Sequence, residues 1–349
     1  MMVLPELAPS ATAGPGTLRV QRLSLPAWRA GEGAAVLGGL AYGADADTAG
    51  LGTLAAPLLG GSEPCVDRAC GAGVLQRGRT GSVTWVHDGH WLHGHAQVDA
   101  GEGAAEGALE EAAYHLYRDV FATLQGTGLP HLLRLWNYLP RINAESSGLE
   151  RYRQFNIGRQ RAFIDSGAPA FEGAPAACAI GTAAGGLALS FIAGRQVPRA
   201  LENPRQVPAW RYPGAYGPRA PTFSRAALVD MGGGQVGLWI SGTASIVGHE
   251  SMHRGDVRAQ TQETLTNLRA VLAAAQGQTS AALSLGQLHG CIYVRRAQDQ
   301  AAVREVLDAG WGAGSPAAAA AVYVQADICR AELLVEVEGH LVAPGRLLP

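Results

Sequence analysis

Residues 333–338 read LLVEVE, a short run in which two acidic residues alternate with aliphatic ones. Because side chains alternate between the two faces of a β-strand, the run predicts a strand with Glu336 and Glu338 on one face. The aliphatic residues between them then line the opposite face, which belongs to a hydrophobic core. The alternative is a strand that ends near the rim of its sheet, where both glutamates are solvated or ion-paired.

A glutamate in an apolar wall has a distinct chemistry. Desolvation disfavours the charged form of a carboxyl group, so a buried glutamic acid keeps its proton near neutral pH and can donate it. If the strand is buried, Glu336 is therefore a candidate general acid.

An internal repeat extends outward from this strand. Two segments with apolar residues at helical spacing are each followed by a strand, a helix, a strand rich in Pro and Ala, and an apolar strand. The first copy comprises residues 102–124, 132–139, 145–163, a strand through Cys178, and 187–192. The second comprises residues 256–275, 288–294, 298–309, a strand through Val324, and 333–337. The repeat predicts a duplicated α+β unit, each copy a mixed sheet packed on its own helices.

When the apolar strands of the two copies are aligned, Ser190 of the first copy corresponds to Glu336 of the second. Only the second copy therefore carries the acid. We therefore predict three parts: a degenerate N-terminal unit over residues 1–194, a loop over 195–225, and a catalytic unit over 226–349. The loop contains many prolines, which exclude a helix, together with dense arginine and tyrosine residues. It is predicted to be ordered and to hold those side chains for an anionic, planar ligand.

Composition narrows the function further. A net charge of −2 and a pI of about 6.6 argue against a partner such as nucleic acid or an anionic membrane. All 27 basic residues are arginine, which excludes Schiff-base lysine chemistry. No run approaches the roughly 18 apolar residues that span a bilayer, and residues 1–14 do not resemble a signal peptide. We expect a cytoplasmic protein with five reduced cysteines.

Two patterns that could hold a cofactor or metal are set aside. Gly232, Gly234 and Gly237 have dinucleotide-site spacing, but a strand follows them where such a site needs a helix, so they predict a hairpin turn. A histidine group has spacing that suits neither one helix face nor one strand face: His87, His90, His93 and His95. No cofactor and no metal are predicted.

Four stretches together resemble the chorismatase family, whose fold is related to that of RidA deaminases. They are residues 135–143 (LWNYLPRIN), 150–159 (ERYRQFNIGR), 203–221 (NPRQVPAWRYPGAYGPRAP) and 239–245 (WISGTAS). The resemblance covers about residues 130–340. It implies two RidA-like units fused in one chain and an enzyme that acts on chorismate.

The resemblance also implies roles for individual residues. The catalytic glutamate falls on Glu336, with Glu338 as the second choice. Substrate-holding positions fall on Tyr152, Arg159, Tyr212 and Arg219, and the pair that steers product choice falls on Gly242 and Cys329. Guanidinium groups suit such a substrate because each can grip a carboxylate through two hydrogen bonds.

The implied reaction is cleavage of chorismate to pyruvate and 3-hydroxybenzoate. Alternatives within the family are 4-hydroxybenzoate, alone or mixed, and a dihydroxy-cyclohexadiene acid formed by hydrolysis. Alternatives of another class are a non-catalytic small-acid-binding protein and an imine deaminase. Residues 316–323 contain no basic residue where RidA deaminases place an arginine, which disfavours the deaminase. We expect a monomer or a small homo-oligomer.

Overall fold

The structure is a computed structural model that describes residues 14, 16–30, 35–43, 50–99, 107–146 and 148–349. Its N-terminal part consists of β1 Arg19–Ser24, α1 Leu25–Ala30, β2 Ala35–Tyr42, β3 Gly52–Leu54 and β4 Cys65–Gly71. These strands form a separate four-stranded sheet in the order β1-β4-β2-β3. The sequence patterns above did not indicate this sheet.

The first of two similar units follows this sheet. Its elements are β5 Gln76–Thr80, β6 Val83–His87, β7 Trp91–Val98, α2 Ala108–Thr127, β8 His131–Pro140, β9 Glu145–Ser146, β10 Leu149–Glu150, α3 Arg151–Asp165, β11 Ala176–Thr182 and β12 Leu187–Gly194. Of the helix predicted over 102–124, residues 102–106 lie outside the described residues. The helix predicted over 145–163 begins only at Arg151, because Gly148 has a φ of 74° and turns the chain into a small β9–β10 hairpin.

The second unit comprises β13 Arg199–Leu201, β14 Ala226–Gly232, β15 Gln235–Ala244, β16 Ile246–Val247, β17 Glu250–Ser251, α4 Val257–Gln276, β18 His289–Val294, α5 Gln300–Trp311, α6 Pro316–Ala320, β19 Val322–Gln325, β20 Asp327–Ile328 and β21 Val335–Pro344. The strand predicted through Val324 is preceded by helix α6, because Ser315 caps its N-terminus, Pro316 suits the first turn and alanines favour a helix. Strand β21 begins at Val335, two residues later than predicted, and continues to Pro344.

The predicted duplication is confirmed by the topology of the two large sheets. Six strands of the first sheet have the order β11-β8-β12-β7-β6-β5, and the second sheet has the order β19-β18-β21-β15-β14-β13. Each strand in one order has its counterpart at the same place in the other. The only parallel pairs in the two sheets, as far as the described residues show, are β8 with β11 and β18 with β19. Strand β20 pairs with β11 and so joins the second unit to the first sheet.

The three sheets share one core, and the helices cover the outer faces. Tyr42 of the N-terminal sheet, Trp136 of the first unit and Trp239 of the second belong to the same central cluster of buried residues. Helices α2 and α3 pack on the outer side of the first sheet, and α4, α5 and α6 pack on that of the second. The inward faces of β8, β11 and β21 therefore meet in the middle of the molecule.

Residues 195–225, predicted as the loop between the units, include β13 of the second sheet and two single turns of 3-10 helix, Ala209–Arg211 and Gly214–Tyr216. The glycines at 232–234 form the predicted hairpin turn between β14 and β15, with φ values of 78°, 60° and 71°. Among the described residues, no helix has both the length and the apolar character needed to cross a membrane.

Candidate active site

Strand β21 carries both predicted acids into the interior. It lies between β15 and β18, and only 4% of Glu336 and 1% of Glu338 are exposed. Val335 and Val337 face the helices on the other side of the sheet. The two carboxyl groups are therefore buried between the sheets, and the alternative of solvated glutamates at a sheet rim is wrong.

Glu336 is held in conditions that favour its neutral form. Burial raises the pKa of its carboxyl to about 8, and the charge of Glu338 adds to the rise. The pKa is lowered by the positive charges of Arg134, Arg225 and Arg295, but their effect is smaller than that of burial. At neutral pH this carboxyl therefore carries a proton that it can donate.

Gly242 provides the space that this carboxyl occupies. Ile240 pairs with Gly339 and Thr243 with Val337, so a β-bulge sets the residues at 241 and 242 against one position of β21. A Cβ atom at Gly242 would lie 1.9 Å from Oε1 of Glu336. Only glycine allows the acid to adopt its present position.

We predict that Gly242→Ala lowers kcat about 100-fold, because displacing a catalytic group by about an ångström has effects of that order. Steady-state kinetics with the substrate proposed below measures the change. Gly290→Ala, in β18 of the same sheet, is the control, since a Cβ there meets its nearest atom at 3.6 Å. Equal kinetics in the two variants would show that Gly242 does not position the acid.

A cavity of about 190 Å³ opens beside Glu336. The start of α3, the Pro-rich segment and the chain between β20 and β21 form its walls, so both units contribute. Its lining includes Tyr152, Tyr212, Tyr216, Phe223, Arg225, Gly242, Cys329, Arg330 and Glu336. Five of the predicted site residues, namely Tyr152, Tyr212, Gly242, Cys329 and Glu336, thus meet at one cavity.

Arg330 and Arg225 are the cationic groups of this cavity. Arg330 donates from Nη1 to the carbonyl oxygen of His249 at 2.8 Å, and its guanidinium lies 4.1 Å from the centre of the Tyr216 ring. Its Nη2 is buried and has no hydrogen-bond partner among the residues that the structure describes. Arg225 donates to the Tyr212 hydroxyl at 2.7 Å. Leaving a buried donor without a partner costs free energy, so Arg330 is suited to donate a hydrogen bond to an anionic ligand.

The other two predicted arginines do not line the cavity. Arg159 is 2% exposed, donates to the carbonyl oxygen of Thr222 and lies against the ring of Phe155, on the helix side of the first sheet. It therefore holds the end of the Pro-rich segment. Arg219 is exposed on that segment. Tyr152 and Arg159 are seven residues apart on α3 and so share one helix face, but they lie two turns apart, and only the first turn reaches the cavity.

Glu338 shares the inward face with Glu336 but does not line the cavity. Arg134 of β8 pairs with its carboxylate, and the Tyr293 hydroxyl donates to Oε1 at 2.5 Å. Because Glu338 does not line the cavity and both its carboxylate oxygens have donors, it is not placed to protonate a ligand there.

The predicted histidine group is dispersed. His93 is buried with Nε2 at 3.2 Å from the Ser190 hydroxyl, while His87 accepts a hydrogen bond from the Gly89 amide at 3.1 Å. Burial lowers the pKa of His93 to about 3, and His95 adds to the fall. Among the described residues, no three metal-ligating side chains come together.

Sequence reasoning missed Arg225, Arg330 and Tyr216. Tyr216 belongs to the quoted Pro-rich run and Arg330 directly follows Cys329, so closeness to assigned residues was a usable signal. For Arg225 the signal was weaker, since it only precedes the strand β14.

Comparison with known proteins places the chain in a family. The family model described as "Chorismatase FkbO/Hyg5-like, N-terminal" matches residues 69–193. A 3-hydroxybenzoate synthase of Streptomyces hygroscopicus is 38% identical over 278 residues, which cover 76% of this chain and 77% of the relative. A chorismatase of Streptomyces rapamycinicus is 38% identical over 275 residues, covering 76% and 79%.

A solved chorismatase structure agrees over almost the whole chain. Its TM-score is 0.82 at 30% sequence identity, and the match covers 94% of this chain and 99% of the other. The predicted α+β fold of two similar fused units, each a mixed sheet packed on helices, is thereby confirmed. Because sequence and fold agree over most of both chains, the protein belongs to the chorismatase family of enzymes.

Proposed function

We propose that this enzyme cleaves chorismate to pyruvate and 3-hydroxybenzoate, with Glu336 as the general acid. The observation that carries the proposal is a buried carboxyl, whose pKa burial raises to about 8, at a cavity whose wall contains a guanidinium nitrogen without a hydrogen-bond partner among the described residues. An acid beside a cationic pocket suits a substrate that is anionic and becomes protonated.

Chorismate has a ring carboxylate and an enolpyruvyl carboxylate. Arg330 has a free donor for one of them, and Arg225 lies on the same cavity for the other. Tyr152 and Tyr212 provide aromatic surface for the ring between them. Charge-assisted hydrogen bonds at both ends would fix the enolpyruvyl group beside Glu336.

The first step is proton transfer from Glu336 to the methylene carbon of the enol ether. It produces an oxocarbenium ion, which the adjacent carboxylate stabilises. The 4-hydroxyl oxygen of the substrate then attacks C3 and loses its proton, while the C3–ether bond breaks and the ether oxygen leaves as the keto oxygen of pyruvate.

Ring opening completes the reaction. The C4–oxygen bond breaks and leaves a cation at C4, C3 then loses its hydrogen as a proton to restore the aromatic ring, and the oxygen on C3 takes up a proton to become the phenol. Glu336 recovers the proton that it donated. The two products contain all the atoms of chorismate, so neither water nor a redox partner is consumed.

Cys329 is proposed to influence product choice by shaping the cavity. Burial raises the pKa of its thiol to about 12, so it stays neutral and is a poor nucleophile. We predict that Cys329→Ala changes the ratio of aromatic products more than it changes kcat. Chromatography of the products measures the ratio, with Cys70→Ala in the N-terminal sheet as the control. An unchanged ratio would limit Cys329 to packing.

The proposed function is tested by incubating the purified protein with chorismate and measuring pyruvate with a lactate-dehydrogenase-coupled assay. Chromatography then identifies the acid. Equimolar pyruvate and 3-hydroxybenzoate support the proposal. A product of 4-hydroxybenzoate or the dihydroxy-cyclohexadiene acid would retain the acid step but change the fate of the ring. Binding without pyruvate release, or turnover of imines only, would overturn the proposal.

A further inference from the structure

Glu338 forms a buried ion pair between the two units. Its partner Arg134 comes from β8 of the first unit, and the side chains of both are only 1% exposed. The Tyr293 hydroxyl, from the neighbouring strand β18, also donates to this carboxylate. Both oxygens of the Glu338 carboxylate are thus engaged, one by a guanidinium and the other by a phenol.

The pair lies close to the catalytic acid. Glu336 and Glu338 are two residues apart on one face of β21, a spacing of about 7 Å along a strand. The Cys178 thiol of β11 interacts with both carboxyl groups. In a buried site with little water, a charge acts strongly over such a distance.

Other ionisable groups around Glu336 come from every element that packs against it. Arg134 of β8 favours the charged form of Glu336, as do Arg225, just before β14, and Arg295, just after β18. Cys178, Cys329 and the Tyr152 phenol have pKa values raised by burial, so they carry no charge near neutral pH. At the cavity walls lie Arg330, Glu150, Glu332, Tyr212 and Tyr216. Glu338 is thus the one fully buried anion among the described neighbours of Glu336.

We infer that Glu338 and Arg134 are positioning residues: the fixed negative charge of Glu338 adds to burial in keeping Glu336 protonated over the pH range in which the enzyme works. Arg134 maintains that charge, and the first unit thereby contributes to catalysis although it has no acid of its own. This inference rests on the proposed function and adds a role to a residue that does not contact the cavity.

The test is the pH dependence of kcat/KM for pyruvate release. In the wild type the rate should fall as pH rises through about 8, where Glu336 loses its proton. Glu338→Gln removes the repelling charge and leaves the positive charge of Arg134, so Glu336 should lose its proton at lower pH. We expect the falling limb to move down by about one pH unit or more, a tenfold loss at pH values above the limb.

A double variant separates charge from structure. In Arg134→Gln/Glu338→Gln both charges are absent, so the limb should lie between those of the wild type and Glu338→Gln. Tyr293→Phe removes a hydrogen bond but no charge, and it should shift the limb less than Glu338→Gln does. If Glu338→Gln does not fold, the double variant still tests the inference, because its falling limb should lie at lower pH than that of the wild type.

The outcomes are distinct. The inference is supported if the falling limb lies at the highest pH in the wild type, at a lower pH in the double variant and at the lowest pH in Glu338→Gln. A variant that is less active at every pH, with its limb unmoved, would assign Glu338 a purely structural role and overturn it. A wild-type protein that releases no pyruvate from chorismate would instead overturn the proposed function itself.

Discussion

Replacing Glu336 with glutamine should lower kcat for pyruvate release about 100- to 10,000-fold, the usual contribution of a general acid. The amide has nearly the same shape as the carboxyl group but no acidic proton, so the oxocarbenium ion cannot form at a useful rate. Substrate binding should be retained, because the cationic groups of the cavity are unchanged. Stopped-time pyruvate assays and calorimetric titration with chorismate measure the two quantities separately.

The matched control for this variant is Glu305→Gln, a charge-to-amide change on the exposed face of α5. It should leave the kinetics unchanged. Turnover of Glu336→Gln close to that of the wild type would remove Glu336 from the chemistry, and loss of binding together with turnover would indicate a disturbed cavity.

Replacing Arg330 with methionine should lower kcat/KM about 10- to 100-fold, since a hydrogen bond to a charged group contributes about 1.5–3 kcal/mol. The long apolar side chain keeps the contact with the Tyr216 ring while removing the free Nη2 donor. Because the lost contact holds the substrate before and during the reaction, the effect should be mostly in KM. Initial rates across a range of chorismate concentrations measure it.

Arg254→Met is the control, because its side chain is 73% exposed and forms only a distant ion pair at 3.8 Å. A thermal unfolding curve of Arg330→Met distinguishes lost binding from lost folding, since Arg330 also contacts the β16–β17 hairpin. Unchanged KM in a folded variant would show that the substrate carboxylate binds elsewhere.

The parts of the fold that were predictable from sequence are those with strong periodicity. The alternation at 333–338 indicated a strand with two acids on one face, and the apolar spacing at 256–275 indicated α4, which Asp256 caps. The repeated order of elements indicated the duplication before any coordinates. These signals are local, so each could be interpreted from a few neighbouring residues.

The N-terminal sheet lacked such a signal. Strand β3 has three residues, β2 contains two adjacent glycines, and neither alternates clearly between polar and apolar side chains. Their place in the fold comes from the central core that they share with both units. Long-range packing of this kind is not encoded in a window of the sequence.

The substrate arginines show the same limit at the site. Composition and the Pro-rich run indicated that guanidinium groups would hold an anion, yet periodicity could not tell which turn of α3 reaches the cavity. Arg159 instead supports the chain at Thr222, and Arg330 enters the site because β20 pairs with β11 across the two units. Only the three-dimensional pairing separates these two roles.

The proposed general-acid mechanism depends most directly on the protonation state of Glu336 in the folded enzyme. Infrared difference spectra of the wild type minus Glu336→Gln, recorded with 13C-labelled glutamate, report this state without any substrate. We expect the band of a protonated carboxyl group below pH 7, disappearing as pH rises through about 8. A carboxylate band already present at pH 6 would show that Glu336 is ionised there and would contradict its role as the general acid.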